Sequence, residues 1–264
     1  MSPQVSLLIN AVKKASSSMD RDFNEIEQLQ ASVKGYKEFV FGTYTKVTKA
    51  LHAELGKIHP DYPIVDDFSK LPAKGSCWLV SPMDGLVNFA HGIPQFAVSV
   101  AIYESGKILS GVIYNPAQDN LYFAEKGKGA FKEGYRNHER LRVSARKDLS
   151  EALIGTLVSY VQSADEYQQV QQKIVKACDN IRISGSCALD LASVAAGKLD
   201  AHVSLNNKLA DFAAGLLIVK EAGGYIYDVH QKDIRSENLE EVMKSGNLIV
   251  TNAEMGKKIC ELFK

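Results

Sequence analysis

The chain has few of the features that mark specialised classes of protein. Lysine plus arginine and aspartate plus glutamate both total 31 in 264 residues, so the formal net charge is zero. A global basic field for nucleic acid or anionic lipid is therefore not indicated. No apolar run approaches the roughly 20 residues that a membrane span needs. Lys13 and Lys14 follow the short apolar run at the N-terminus, whereas a signal peptide has basic residues before it. We therefore predict a cytoplasmic protein with no membrane association.

Cysteine is also scarce. The four cysteines show no Cys-x-x-Cys spacing and stand mostly among apolar or small residues; they are Cys77, Cys178, Cys187 and Cys260. This pattern favours buried free thiols in a reducing compartment over disulfides or a zinc site. A length of 264 residues, 45% of them hydrophobic, is ample for a large core. We predict a single domain over residues 1–264.

Helical patterns surround a central block of strands. Apolar periodicity predicts helices over residues 3–30, 37–57, 164–178, 186–197 and 211–222. Strands are predicted at Cys77–Val80, Phe96–Tyr103, Ile108–Tyr114, Asn120–Glu125, Tyr225–Val229 and Leu248–Thr251. Ser105-Gly106 is a hairpin turn signal, which makes the central strands antiparallel neighbours. Helices before and after such a block predict a layered α+β or mixed α/β architecture.

The segment Trp78–Phe89 is the most informative part of the chain. A buried-strand pattern ends in Ser81-Pro82-Met83-Asp84-Gly85, a loop that projects a carboxylate and leaves backbone amides free to face an anion. For Asp84 and Gly85 alone, an ordinary turn is the competing interpretation. Asp211 opens a helix rich in small residues, where it is either an ordinary N-cap or a carboxylate pointing into a site.

Together these elements resemble the inositol monophosphatase family, including its SuhB-type bacterial members. The matching residues are Pro82, Asp84, Gly85 and Asn88, then Asp211-x-Ala-Ala-Gly and Glu221-Ala-Gly-Gly, over residues from about 30 to the end. The resemblance implies an α+β fold, the αβαβα sandwich of the inositol monophosphatase/fructose-1,6-bisphosphatase superfamily. It implies a Mg²⁺-dependent phosphomonoesterase that acts on inositol or sugar phosphates and forms a homodimer. SuhB-type relatives are also implicated in transcription antitermination, which implies a transcription or RNA partner.

The resemblance also assigns roles to individual residues. The implied metal ligands are Asp67, Ser81, the Met83 carbonyl, Asp84 and Asp211. The implied substrate contacts are Gly85, Leu86, Gly185, Ser186, Cys187 and Ser204. Carboxylate and carbonyl oxygens suit Mg²⁺, which would neutralise phosphate charge and activate water.

Several of these positions depart from the family pattern. Ser81 stands where the family has a carboxylate that bridges two metals, and a neutral hydroxyl cannot do so. Leu86 replaces the threonine that positions the nucleophilic water, and Tyr44 replaces its acidic partner, so the catalytic residues are unknown. Asp67 is one methylene shorter than the family glutamate. Ser204 stands at a glutamate that contacts a substrate hydroxyl.

Loss of these groups predicts weak or absent phosphatase activity and fewer or weaker Mg²⁺ ions, since one catalytic group is commonly worth about 10²–10⁴ in rate. The chain would then be a pseudoenzyme. The alternative is a non-catalytic, SuhB-like regulatory protein that binds transcription or RNA machinery. A neighbouring carboxylate such as Asp66 could also substitute for a lost ligand.

Three other motifs suggest chemistry less strongly. Gly127-Lys128-Gly129 could cradle phosphate but lacks P-loop spacing, so a hairpin is preferred. His91 could bind metal but has no second histidine at ligand spacing. The basic stretch Tyr135–Arg142 could contact RNA, although a solvated loop is the better interpretation.

Overall fold

The structure is a computed structural model that describes residues 1–29, 36–157, 164–231 and 237–263. Its helices are α1 Pro3–Ala15, α2 Met19–Leu29, α3 Tyr36–Ile58, α4 Leu86–Ala90, α5 Ala164–Ala177, α6 Cys187–Ala195, α7 Leu209–Glu221, α8 Leu239–Ser245 and α9 Ala253–Glu261. Its strands are β1 Ile64–Val65, β2 Ser76–Asp84, β3 Ala97–Glu104, β4 Lys107–Asn115, β5 Asn120–Glu125, β6 Gly129–Lys132, β7 Glu139–Arg140, β8 Leu153–Leu157, β9 Asn180–Ile183, β10 Ala201–Ser204, β11 Tyr225–Tyr227 and β12 Leu248–Thr251.

The strands form two sheets. The seven-stranded sheet follows chain order from β1 to β7, and all its pairs are antiparallel except β1 with β2. Its β3–β4 hairpin turns through Ser105 and Gly106, whose φ angles are 43° and 88°, as the Ser-Gly pair predicts. The five-stranded sheet has the order β11-β12-β10-β8-β9, with β8 parallel to both β9 and β10.

Three hydrophobic clusters separate these sheets into layers. One cluster packs α1, α2 and α3 against one face of the seven-stranded sheet. A second contains α6 and α7 between the two sheets. The third packs α5 and α9 on the outer face of the five-stranded sheet. The order is therefore αβαβα, which confirms the predicted sandwich.

Most predicted elements are present, with shifted bounds. The helical pattern over 3–30 is divided between α1 and α2, because Ser16 caps α1 and its hydroxyl donates to the Val12 carbonyl. Ser186 caps α6, and its hydroxyl accepts from the Leu189 amide. The predicted N-cap at Asp211 is wrong: Lys208 occupies that position and Asp211 lies in the first turn of α7.

The cysteines match the prediction of free thiols. All four are unbridged; Cys77, Cys187 and Cys260 are buried and Cys178 is half-buried. Burial raises the pKa of the Cys77 thiol to about 11 and that of Cys187 well above its usual value, so both thiols are protonated and unreactive. Within the described ranges, no helix is both long and apolar enough to cross a membrane.

Candidate active site

An irregularity in β2 builds the centre of the site. Ser81 pairs with Ser99 and Asp84 pairs with Ala97, so three steps along β2 match two steps along β3. Side chains alternate across a strand, and the extra residue therefore turns Asp84 to the same face as Ser81. Met83 consequently packs with Trp78 and Val80 on the opposite face. Pro82 lies within the irregular segment, where its missing amide N–H costs no ladder bond.

Ser81 and Asp211 meet between the sheets. The Ser81 hydroxyl donates to Asp211 Oδ1 over 2.5 Å. Asp211 reaches it because α7 begins two residues earlier than expected, and an acidic side chain in the first turn also suits the helix dipole. The hydroxyl at the position of the family's bridging carboxylate therefore serves as a donor to the remaining aspartate.

Asp84 is bound to the start of α6. The Ser186 hydroxyl and the Ala188 amide both donate to Asp84 Oδ2, over 2.6 and 2.7 Å. An anion at a helix N-terminus is stabilised by the unpaired amides and the helix dipole. The bonds from Ser186 and Ala188 therefore hold β2 and the loop before α6 together through one carboxylate.

Burial dominates the electrostatics of this pair. Asp84 is 7% exposed. Its pKa is raised to about 8, first by burial and then by the negative charge of Asp211, against the opposing effect of the hydrogen bonds from Ser186 and Ala188. Burial also raises the pKa of Asp211, opposed by the hydrogen bond from Ser81 and the charge of Lys208. The pair thus favours a shared proton or a bound cation over two free charges.

Asn88 joins the predicted anion loop to the substrate-side loop. Its amide nitrogen donates to the Gln95 carbonyl over 2.7 Å and to the Ser184 carbonyl over 2.8 Å. Gly185 lies against this side chain with φ of 83°, and a Cβ there would come within 2.7 Å of the Asn88 nitrogen. Asn88 is a positioning residue to which the sequence analysis gave no role in the site.

Gly85 and Leu86 lie at the start of α4. Gly85 is the N-cap with φ of 82°, and a Cβ there would come within 2.7 Å of the Gln95 carbonyl oxygen, so only glycine fits. Leu86 is 41% exposed, so the side chain at the family's threonine position faces partly outward. Tyr44 is half-buried and packs against the cluster formed by α1, α2 and α3.

Asp67 is exposed, whereas Asp84 is buried and Asp211 half-buried. Its carboxylate accepts from the Ser69 amide over 2.8 Å and from the Ser69 hydroxyl, which caps the short 3-10 helix Phe68–Lys70 and lowers the pKa of Asp67. Asp66 is exposed and paired with Lys70 over 2.7 Å. Within the described parts of the chain, no three His, Cys, Asp or Glu side chains group closely enough to hold a metal ion.

Ser204 belongs to a buried polar chain behind α6. Its hydroxyl lies 2.8 Å from His202 Nε2 and accepts from the Asn207 side-chain amide over 2.8 Å. His202 Nδ1 in turn lies 3.1 Å from Asp190 Oδ2, at ion-pair distance but without the alignment of a hydrogen bond. Cys187 joins this chain to the site, with its sulfur 4.0 Å from His202 Nε2.

Asp190 and His202 were missed in the sequence analysis. The amino-acid sequence indicates them only weakly: His202 and Ser204 are two residues apart and therefore share one face of β10. Only the packing of α6 against β8 and β10 brings Asp190 to them. Gly155 of β8 leaves the space, since a Cβ there would lie 3.2 Å from both Asp190 Oδ2 and His202 Nδ1.

The glycine hairpin has a structural role. The Gly127 and Gly129 amides donate to the two carboxylate oxygens of Glu221 over 2.7 and 2.8 Å. These amides are therefore engaged by the end of α7, and the hairpin interpretation is preferred to a phosphate cradle.

His91 is the exposed C-cap of α4. Tyr135 is fully exposed beside Arg136.

The comparison with known proteins decides the family. The sequence model described as "Inositol monophosphatase family" matches residues 2–264. The chain belongs to the inositol monophosphatase family. It is 37% identical to an inositol-1-monophosphatase of Rhizobium meliloti (strain 1021), over 98% of this chain and 96% of that protein. It is 32% identical to the Nus factor SuhB of Escherichia coli (strain K12), over 97% of this chain and 94% of that protein.

Solved structures agree with this inositol monophosphatase assignment. The native structure of the extragenic suppressor protein suhB from Bartonella henselae superposes with a TM-score of 0.84 at 33% identity, covering 100% of this chain and 99% of that chain. The IMPase of Thermotoga maritima superposes with a TM-score of 0.80 at 29% identity, covering 99% and 97%. The fold is thus that of SuhB and inositol monophosphatases.

Inositol monophosphatases are typically Mg²⁺-dependent, and the donor set here falls short of that requirement. Asp84 and Asp211 interact through their charges, and Ser81 and Ser186 already donate hydrogen bonds to them. Ser81 presents a neutral hydroxyl where the family pattern has a carboxylate, and a hydroxyl is a weaker ligand for Mg²⁺. The residues present do not fit a site for two or three ions, and no chemical step is assigned to a metal.

Proposed function

We propose that the chain is an inositol monophosphatase-family protein whose phosphomonoesterase activity toward inositol or sugar phosphates is weak or lost. The observation that carries this proposal is the 2.5 Å hydrogen bond from Ser81 to Asp211. A hydroxyl that donates a hydrogen bond to the aspartate stands in place of a carboxylate that would hold cations. The exposed Leu86 also supports a loss of activity, because its side chain has no hydroxyl that could hold an attacking water.

The proposal includes a metal site reduced to one weakly bound Mg²⁺ or none. In it, Asp84, Asp211 and the Met83 carbonyl are the retained ligands, and Asp67 contributes only if its bonds to Ser69 break. Substrate contacts in the proposal are Gly85, Leu86, Gly185, Ser186, Cys187 and Ser204. Ser186 already donates to Asp84, which leaves its hydroxyl unavailable as a donor to a substrate.

A phosphatase panel with wild type, Ser81→Asp/Leu86→Thr and the matched control Ser81→Ala/Leu86→Thr tests this proposal. Weak or absent Mg²⁺-dependent turnover by wild type and the control, with measurable turnover by the aspartate variant, is expected. Calorimetric titration with Mg²⁺ and Mn²⁺ reports the ions bound by each. Wild-type turnover at ordinary enzyme rates, about 1–10³ s⁻¹, would show the proposal to be wrong.

A second candidate function is non-catalytic regulation of the SuhB kind, by binding transcription or RNA machinery. It is supported by the likeness to proteins named Nus factor SuhB. Tyr135 is fully exposed beside Arg136, a pairing that suits contact with single-stranded nucleic acid. A transcription read-through reporter with and without the chain tests it, with Arg136→Gln as the contact variant. No change in read-through on removal of the chain would reject this role.

The proposal extends to a homodimer acting in the cytoplasm, with residues 1–264 as one domain. Three neighbouring apolar side chains of α4 and the loop after it support association: Leu86 is 41%, Val87 70% and Ile93 47% exposed. Contiguous exposed apolar surface commonly marks a protein interface. Sedimentation of wild type and Val87→Lys tests it. A monomeric wild type would reject the dimer, and a monomer only in the variant would support it.

A further inference from the structure

A chain of polar side chains lies at the junction of β10, α6 and the loop before α7. Its members are Asn207, Ser204, His202 and Asp190, and all four are buried. Within the described residues, seven buried polar side-chain atoms lack a well-aligned hydrogen bond, and three of them belong to this chain: Asn207 Oδ1, His202 Nδ1 and Asp190 Oδ2. Because buried polar atoms are nearly always satisfied, this network has bonding capacity left over for a second arrangement.

The hydrogen bonds of this chain have a definite direction when His202 is neutral. The Asn207 side-chain nitrogen lies 2.8 Å from both the Gly246 carbonyl and the Ser204 oxygen. The opposite amide orientation would set oxygen against the Gly246 carbonyl oxygen, so Asn207 is the donor to Ser204. Ser204 then gives its own proton to His202 Nε2, at 2.8 Å. The proton of neutral His202 is on Nδ1, since a lone pair there would face the Asp190 carboxylate at 3.1 Å.

The groups packed around His202 include one close carboxylate. Asp190 lies on α6, as does Cys187, whose sulfur is 4.0 Å from His202 Nε2. The residues paired with His202 on the neighbouring strands are Gly155 of β8 and Val250 of β12, and neither titrates. A protonated His202 would therefore have Asp190 as its partner, which removes most of the cost of a buried charge.

Two further carboxylates act on this region from beyond Cys187. Burial first, and then the charges of Asp84, Asp211 and Asp190, raise the pKa of the Cys187 thiol well above its usual value. Cys187 therefore stays protonated throughout the range in which a histidine titrates, and it does not compete with His202 for the proton.

Protonation of His202 reverses the direction of the chain. An imidazolium has two N–H donors and no acceptor, so Nδ1 still faces Asp190 while Nε2 donates to Ser204. Ser204 then needs a new acceptor for its own proton, and the unpartnered Oδ1 of Asn207 is on the amide that already contacts it. When the amide turns to present Oδ1, its nitrogen no longer donates to the Gly246 carbonyl, and the two oxygens repel each other.

The contact that opens joins two loops. Asn207 precedes α7, whose first turn carries Asp211, and Gly246 is the C-cap of α8. The two loops are closely packed, since a Cβ on Gly246 would lie 2.2 Å from the Asn207 carbonyl oxygen. The Asn207 backbone amide also donates to the Gly246 carbonyl, over 2.9 Å. A turn of the Asn207 side chain is therefore transmitted to the loop that leads into α7.

We propose that His202, Ser204 and Asn207 form a proton-operated switch. Neutral His202 holds the loop before α7 against Gly246, and protonated His202 releases the side-chain contact by reversing the hydrogen bonds. The switch requires no metal ion and does not depend on whether the chain retains phosphatase activity.

NMR of the imidazole nitrogens and amides, between about pH 8 and about pH 5 where histidine titrates, tests the switch. The Nδ1–H tautomer of His202 is expected at the upper end. On acidification both ring nitrogens should become protonated, and the Asn207 side-chain amide and the Asn247 backbone amide should shift with the same midpoint. Asn247 reports on the contact because its amide shares a peptide unit with the Gly246 carbonyl.

Ser204→Ala distinguishes the switch from an unrelated effect of pH. It removes the hydroxyl between His202 and Asn207, so His202 should still titrate while the Asn207 and Asn247 signals stay constant. His202→Gln should abolish both changes. His91→Gln is the matched control, since it removes an exposed histidine at the end of α4 and should leave the coupled shifts as in wild type.

The Nε2–H tautomer in the neutral protein would overturn the proposal, as would protonation of His202 with no shift at Asn207. Coupled shifts that persist in Ser204→Ala would also overturn it, because the link through the hydroxyl would then be unnecessary. A His202 that stays neutral down to about pH 5 excludes the switch in the range where histidine titrates. Ser204→Ala keeps the test valid if His202→Gln fails to fold.

Discussion

The Ser81 hydroxyl donates to the Asp211 carboxylate over 2.5 Å, across 130 positions of sequence. This bond joins β2 to α7 at the point where an inositol monophosphatase would place a metal between two carboxylates. The site is therefore satisfied internally, by donors of the chain itself. Ser186 and the Ala188 amide do the same for Asp84.

Replacing Ser81 with aspartate should lower stability in the absence of divalent metal. A third buried carboxylate beside Asp211 and Asp84 would lose the donor hydrogen bond and add like-charge repulsion, at a cost of about 2 kcal/mol or more. Mg²⁺ should restore part of that loss in the variant and have little effect on wild type. Thermal unfolding with and without MgCl₂ measures both effects.

Leu86→Thr is the control for that measurement, because a half-exposed side chain should change stability by less than about 0.5 kcal/mol. An aspartate variant as stable as wild type without metal would contradict the repulsion argument.

Stability should fall as pH rises from about 4 to about 8. Asp84 has its pKa raised from 3.8 to about 8, so the folded protein binds the proton more tightly than the unfolded chain does. The stabilisation by the neutral acid is complete below the unfolded pKa and is lost as pH rises toward the folded value. One such group contributes on the order of 1 kcal/mol per pH unit in that window.

Urea unfolding of wild type and Asp84→Asn at a series of pH values isolates this effect. The asparagine variant removes the titration and can still accept from Ala188, so the difference between the two proteins should shift in favour of the variant as pH rises. A difference that is constant with pH would rule out the raised pKa.

Asn88→Ala should destabilise the chain by about 2 kcal/mol or more. The change leaves the half-buried Gln95 and Ser184 carbonyls without the Asn88 donor, and an unsatisfied group costs about 1–3 kcal/mol where water cannot replace the donor. Asn88→Asp keeps the shape but cannot donate from a carboxylate, so it should be at least as damaging. Chemical denaturation measures both, and an Asp variant of wild-type stability would show that the two hydrogen bonds contribute little.

Ser204→Glu, which returns the residue of inositol-using relatives, should destabilise the protein by about 2 kcal/mol or more. Ser204 is 2% exposed and its hydroxyl is held by His202 and Asn207, so a longer charged side chain would be buried without room or partners. Thermal unfolding of this variant is compared with Ser204→Ala, which removes the same bonds without adding bulk. Equal melting temperatures would contradict the steric and charge argument.

The sequence was a good guide wherever local pattern and the final fold agree. Alternation in β3 and β4, the Ser105-Gly106 turn and the apolar periodicity of α3 depend on neighbours in the chain, so they were visible without coordinates. The residues around Asp84 and Asp211 that match the family could be recognised for the same reason. Helix ends were less certain: Lys208 caps α7, although Asp211 is the better capping residue by type.

The amino-acid sequence by itself determined the family, the αβαβα layering that the family resemblance implies, and the absence of a carboxylate at Ser81, because each depends on the identity of residues in recognisable motifs. Tertiary structure alone decided what replaces that carboxylate. The irregularity of β2 turns Asp84 to the face of Ser81, and the packing of α6 and α7 between the sheets brings Ser186 and Asp211 to it. It also left Asp67 exposed and placed Asp190 beside His202. Such contacts join residues far apart in the chain, and their geometry is set by the packing of whole layers.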